Sequence, residues 1–192
     1  MDCQHPADAE IKSKSVMESL KLIKSKIREI PDWPKKGVNF KDITPLLGDK
    51  DAFRKTIDLL ATPYLGKKVD KVVGIDARGF ILAAALAYKL KAGLAIVRKK
   101  GKLPAKTVAQ KYTLEYASNI LEMHQDAVLP GEKILLVDDV LATGGTMKAT
   151  INLVKKLKGK IVGVDFLIEL TYLDGKKNFK GYKLRSLIKY LS

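Results

Sequence analysis

Two adjacent carboxylates, Asp138 and Asp139, close the apolar run of "ILLVDDVLATGGTM", Ile134 to Met147. Ionised carboxylates accept hydrogen bonds from hydroxyl groups. The small-residue stretch that follows, Ala142, Thr143, Gly144, Gly145 and Thr146, offers backbone amides, two hydroxyl donors and glycines that let the chain curl around an anion. A helix opening near Thr146 adds unpaired N–H groups and the positive end of its dipole. Acceptors beside a phosphate cradle suit a sugar phosphate. An ordinary strand, turn and helix would not need two neighbouring like charges, which oppose stability unless hydroxyls, cations or water satisfy them. Neither G-x-x-x-x-G-K-[ST] nor G-x-G-x-x-G occurs in the chain.

The elements that must position these residues are legible in the pattern. "VDKVVGID", "LAIV", "KILLVDD" and "IVGVDFLIEL" read as short buried strands. "GFILAAALAYKLK" and "TMKATINLVKKLK" read as the helices between them. Strands without polar alternation, separated by helices, predict a mostly parallel sheet flanked by helices, an α/β fold. In such a sheet ligands bind beyond the carboxyl ends of the strands, where Asp138 and Asp139 fall. "YKLRSLIKY" is expected to add an edge strand. Upstream, Val16, Leu20, Ile23, Ile27 and Ile30 recur at helical spacing, predicting a helix from Ser15 to Ile30 behind a frayed stretch, residues 1–12. Pro31, Pro34 and Pro45 exclude a continuous helix over 31–48, which reads as a hood, and Ala52–Leu65 again reads as a helix. No repeat or linker interrupts the 192 residues, so one domain is expected.

Lys and Arg outnumber Asp and Glu by 36 to 21, but only five of the 36 are arginines. That excess makes a general field that attracts anions. No helix-turn-helix, zinc-finger or aromatic RNA-binding signature accompanies it, so no specific nucleic-acid partner is expected. One cysteine, Cys3, rules out an intrachain disulfide framework, and no apolar stretch is long enough to span a bilayer. A cytoplasmic protein is the expectation. His5 and His124 have no acids or thiols patterned around them and are assigned neither to metal nor to catalysis.

Three further segments carry chemistry. "GIDARGF" is a second strand exit turning into a helix, with Arg78 as an oxyanion fork. "RKKGKLPAKTVAQKYTLEY" is densely basic, and "GVNFKD" presents Phe40. With "VDDVLATGGTM", these segments resemble, in order, the type I phosphoribosyltransferases, and most closely the members that use adenine; the likeness covers most of residues 25–170.

The resemblance implies the fold of that family with an N-terminal hood, and transfer of the phosphoribosyl group from phosphoribosyl pyrophosphate to adenine, giving AMP and pyrophosphate. It assigns Asp138, Asp139 and the Ala142–Thr146 turn to the phosphoribosyl group. Asp76, Ala77, Arg78, Arg98, Lys99, Lys102 and Tyr116 fall to the pyrophosphate, and the Asp76–Ala77 peptide is expected to be cis. Asn39, Phe40 and Lys41 match the base-binding stretch, although Asn39 stands where the family usually has an aliphatic residue and Lys41 where it usually has arginine. Residues 98–118 match a mobile catalytic loop, with Glu115 as its acid. Mg²⁺ is implied, held by substrate and water rather than by direct protein ligands, and a homodimer is implied as well. Two rivals remain at this level: a phosphoribosyltransferase for another purine, and a non-catalytic regulator that binds phosphoribosyl pyrophosphate or nucleotide.

Overall fold

The computed structural model describes residues 6–114 and 117–192; Cys3, His5, Glu115 and Tyr116 lie outside them. The chain forms two compact units that divide between Leu59 and Leu60.

The first unit opens with helix α1 (Pro6–Ser25), so residues 6–12, expected to fray, form its first turns. The helix stops earlier than the apolar spacing predicts. Arg28–Ile30 is instead a strand, β1, paired antiparallel with β2 (Phe40–Asp42). The reason is local: Ile30 precedes Pro31, whose ring disfavours helical backbone at the residue before it. Asp42 fastens the ribbon. Its Oδ2 accepts Arg28 Nη2 at 2.6 Å and Nε at 3.0 Å, while its Oδ1 accepts the Thr44 N–H at the start of α2 (Thr44–Gly48). Between the strands the chain turns through a cis Trp33–Pro34 bond, and the Trp33 and Phe40 rings meet edge-on at 4.4 Å. Helix α3 (Lys50–Ala61) follows, ending in a 3-10 turn at Thr62–Tyr64 rather than continuing to Leu65.

The second unit is built on a seven-stranded sheet: β3 (Lys71–Ile75), β4 (Gly93–Lys99), β5 (Thr107–Leu114), β6 (Ala117–His124), β7 (Lys133–Leu141), β8 (Lys160–Leu170) and β9 (Leu184–Tyr190). The order is β5-β6-β4-β3-β7-β8-β9, and β4, β3, β7, β8 and β9 run parallel. The expected C-terminal edge strand is β9. Helices α4 (Arg78–Leu90) and α5 (Gly145–Lys156) supply the crossovers. Period-2 alternation sorts the strands. Val73, Ile75, Ile134, Leu136, Val164 and Phe166 join Met147, Ile151 and Val154 of α5 in one core. Val72, Leu135 and Val137, also buried, take the other face, where Ala83 of α4 closes on Gly74.

The described residues within 98–118 comprise the end of β4, a turn, β5 and the start of β6, and β5 and β6 extend the sheet, with β6 antiparallel to β4. Val108 and Tyr112 pack on the core four residues apart, on one face of β5, as a half-buried strand requires.

Leu136 is fully buried between neighbours on both sides of β7. Leu136→Ala is expected to lower unfolding free energy by about 2–5 kcal/mol in urea titration, and a loss under about 1 kcal/mol would contradict this placement of the core.

Candidate active site

The parallel strands β3, β4 and β7 end on the same edge of the sheet, and the chemistry collects there. On β7 the buried run Ile134–Val137 delivers Asp138, half-buried, and Asp139, almost fully buried. Asp138 Oδ1 accepts the backbone N–H of Asp139 at 3.0 Å. Asp139 Oδ2 lies 2.6 Å from Arg78 Nε at the start of α4. The helix can come this close because residue 79 is glycine: a Cβ there would stand 2.6 Å from Asp138 Oδ1. The pair is desolvated, which raises both carboxyls above the ordinary aspartate value; the charge of Asp139 raises Asp138 further, whereas Arg78 opposes the rise at Asp139.

Immediately beyond, Ala142–Thr146 bends around a cavity of about 160 Å³ that Asp138 and Phe166 also line. Gly144 sits in the left-handed region at φ 83°, and α5 starts at Gly145 with its first amides unpaired within the helix. The turn is propped from behind by a segment to which the sequence assigned nothing, Gly175–Phe179. Asn178 Nδ2 donates to the Thr143 carbonyl at 2.9 Å, and a Cβ on Gly144 would meet the Phe179 ring at 2.8 Å. Phe179 follows a charged, turn-rich stretch, and no motif marks it; its one signal is a lone aromatic amid polar residues.

The second strand exit carries the expected cis Asp76–Ala77 peptide. Asp76 also accepts Arg98 Nε at 2.9 Å, and Arg98 Nη1 reaches the Lys102 carbonyl at 3.1 Å. The structure therefore brings Asp76, Arg98 and the Lys102 backbone together, and separately pairs Arg78 with Asp139. The turn is held by Glu122 of β6, a buried acid missing from the sequence reading, whose Oε2 accepts the Gly101 N–H at 2.9 Å. Lys99 and Lys102 are exposed.

The stretch expected to hold a base lies in the first unit. Glu29 accepts Asn39 Nδ2 at 2.8 Å and pairs with buried Lys41, and these bonds, Lys41's first, hold the Glu29 carboxyl below its ordinary value. The side chains of Asn39 and Lys41 are thus engaged on the ribbon, and what they can present to a base is backbone. Phe40 is half-buried beside Trp33.

The model of the phosphoribosyl transferase domain matches residues 49–187. The chain belongs to this family. Adenine phosphoribosyltransferase of Trichlorobacter lovleyi is 53% identical over 174 residues, 91% of this chain and 100% of that protein. The crystal structure of the Rhodothermus marinus adenine phosphoribosyltransferase superposes with a TM-score of 0.87 at 47% identity, over 91% of this chain and 99% of that one. The Saccharomyces cerevisiae enzyme, solved with adenine and an imino-altritol bisphosphate, gives 0.84 at 31% identity, over 89% and 99%. The fold expected from the sequence, an α/β phosphoribosyltransferase fold with a mostly parallel central sheet, is borne out.

In this phosphoribosyltransferase the acidic strand exit carries a stability cost of definite sign. Both carboxyls titrate above 3.8 in the folded state, so the fold retains protons that the unfolded chain releases, and stability falls as pH rises from that value through the folded ones. Asp138→Asn is expected to melt higher than the wild type at neutral pH, with the difference shrinking as pH drops toward about 4. Thermal scans across that range check it; a variant that melts lower at neutral pH would contradict the desolvated pair. Gly79→Ala is expected to lower affinity for phosphoribosyl pyrophosphate by about tenfold or more, because its methyl group displaces the Asp138 carboxylate.

Proposed function

We propose that this protein transfers the phosphoribosyl group from phosphoribosyl pyrophosphate to adenine, forming AMP and releasing pyrophosphate in purine salvage. The observation that carries this is the site itself: a carboxylate pair facing a glycine-rich anion cradle at the exit of β7. Identity above half across the full length of an adenine phosphoribosyltransferase supports the choice of base.

In this reading the 5′-phosphate rests on the amides and hydroxyls of Ala142–Thr146, and the ribose hydroxyls donate to Asp138 and Asp139. The bond from the anomeric carbon to pyrophosphate breaks as a ring nitrogen of adenine bonds to that carbon, and the nitrogen's proton leaves. Charge develops on the departing pyrophosphate, so preorganised cations there lower the barrier. Arg78, Arg98, Lys99 and Lys102 take that role, while the Asp76–Ala77 backbone and the Tyr116 hydroxyl add hydrogen bonds to the same group. Binding pyrophosphate offers Arg78 a more highly charged partner than Asp139, which frees Asp139 for ribose. Asn39, Phe40 and Lys41 receive the base, Phe40 by stacking and its neighbours through backbone groups. Glu115 hydrogen-bonds the purine and assists proton removal. Residues 98–118 close over the reacting centre and exclude water, which would otherwise capture the sugar.

Among the described residues no group of three or more acids, histidines or cysteines could cage a metal. The donor set near the cradle, two carboxylates beside a phosphate site, fits Mg²⁺ carried on substrate oxygens and completed by water. When bound, Mg²⁺ neutralises pyrophosphate charge. The whole chain works as one catalytic domain, as a cytoplasmic homodimer.

Purified protein supplied with phosphoribosyl pyrophosphate, Mg²⁺ and one purine at a time is expected to form AMP from adenine and far less nucleotide from hypoxanthine or guanine. Preference for another base would move the assignment at residues 39–41, and substrate binding without turnover on any base would overturn the enzyme reading. Glu115→Gln is expected to lower kcat by about a hundredfold with a much smaller change in substrate affinity.

A further inference from the structure

A cavity of about 720 Å³ opens in the second unit, lined by none of the residues assigned to phosphoribosyl transfer. Lys133 and Leu184 begin β7 and β9, and Ile161 is the second residue of β8, so the cavity lies at the amino ends of the strands. Five residues along β7 separate Lys133 from Asp138, about 17 Å of extended chain. The cavity is therefore at the opposite edge of the sheet from the cradle.

Its floor is constructed rather than left over. The Tyr64 hydroxyl donates to Asp165 Oδ1 at 3.1 Å, and Arg185 Nη2 donates to Asp165 Oδ2 at 2.6 Å and to the Leu60 carbonyl. The Arg185 guanidinium stands 5.9 Å from the centre of the Tyr64 ring. Tyr64 can lie over β8 because residue 163 is glycine: a Cβ there would fall 2.0 Å from the tyrosine hydroxyl. Asp165 is fully buried, and Arg185 matches its charge.

The rim is different. Lys67, Lys133 and Lys183 line the cavity, are exposed, and among the described residues make no ion pair, whereas Lys68 is held by Asp70 at 3.2 Å. The walls between rim and floor are apolar, from Val69, Ile161 and Leu184, with Tyr182 half-buried beside them. Three ammonium groups that no salt bridge holds, Lys133 alone feeling the nearby Asp70 charge, ring an apolar, aromatic-edged hollow and select an anion that also carries a planar apolar body. The volume lies in the range of small-molecule sites, roughly 300–1,000 Å³. A nucleic-acid strand fits less well, because Tyr64 is buried and the half-buried Tyr182 is the one partly open ring lining the cavity, room for a single base but not for successive ones.

We infer that this cavity is a second ligand site, separate from the transfer site, for a mononucleotide: its phosphates on Lys67, Lys133 and Lys183 and its base against the Tyr182 side of the hollow.

The test is an amide NMR titration of the full chain with ADP, in the wild type and in Lys67→Glu/Lys183→Glu. The expected result is saturable shifts at residues 67–69 and 181–185, distinct from those at 142–146, with affinity at the first set lowered at least about tenfold in the variant. Shifts at 142–146 and turnover with adenine should be unchanged in the variant, which also shows that it folds. Shifts confined to 142–146 would overturn the inference. Inorganic phosphate binding as tightly as ADP would refute the nucleotide, leaving a bare anion site. A short single-stranded oligonucleotide that binds where ADP does not would refute it in favour of nucleic acid.

Discussion

Two carboxylates held side by side out of water, with one arginine between them and instability, set the terms for this molecule. Asp138 and Asp139 can occupy the exit of β7 because Arg78 reaches Asp139 and a backbone amide satisfies Asp138. That arrangement fixes much else. Arg78 must open α4, α4 must press on the sheet, and residues 74 and 79 must lack side chains for it to do so. The same exit must then turn at once into the cradle, so Gly144 takes a left-handed backbone and Phe179 fills the space behind it. A pair so placed weakens the fold at neutral pH, and a ligand whose hydroxyls satisfy both acids recovers that loss.

The two strand exits treat their arginines alike. Arg78 rests on Asp139 and Arg98 rests on Asp76, each cation near 3 Å or less from a carboxylate. Neither is left as a bare charge. Each has an acid that keeps it in position, and in the proposed reaction the more highly charged pyrophosphate competes with that acid. The scattered lysines add a long-range field that draws anions, while these two arginines give that attraction a place.

What the sequence made legible followed from periodicity and from one motif. The buried runs of β3, β7 and β8 and the cradle at 142–146 stand where the pattern put them, because continuous apolar strands admit few arrangements besides a covered parallel sheet. The end of α1 was misread because Ile27 and Ile30 continue the helical spacing by chance, while Pro31 overrides it. The β5–β6 hairpin was hidden by its lysines, which outweighed the alternation of Val108 and Tyr112. Tertiary partners were beyond reach. Nothing near Asn178, Phe179 or Glu122 in the chain announces that they brace a turn or a loop more than twenty residues away.

In the proposed reaction the carboxylate pair serves to bind ribose hydroxyls. Calorimetric affinities of ribose 5-phosphate and 2-deoxyribose 5-phosphate, for the wild type and for Asp139→Asn, test it most directly. The wild type is expected to prefer the ribose by about tenfold, the scale of one hydrogen bond to a charged group, and the variant to lose most of that preference. Equal binding of the two sugars by the wild type, or a preference that survives in the variant, would contradict it.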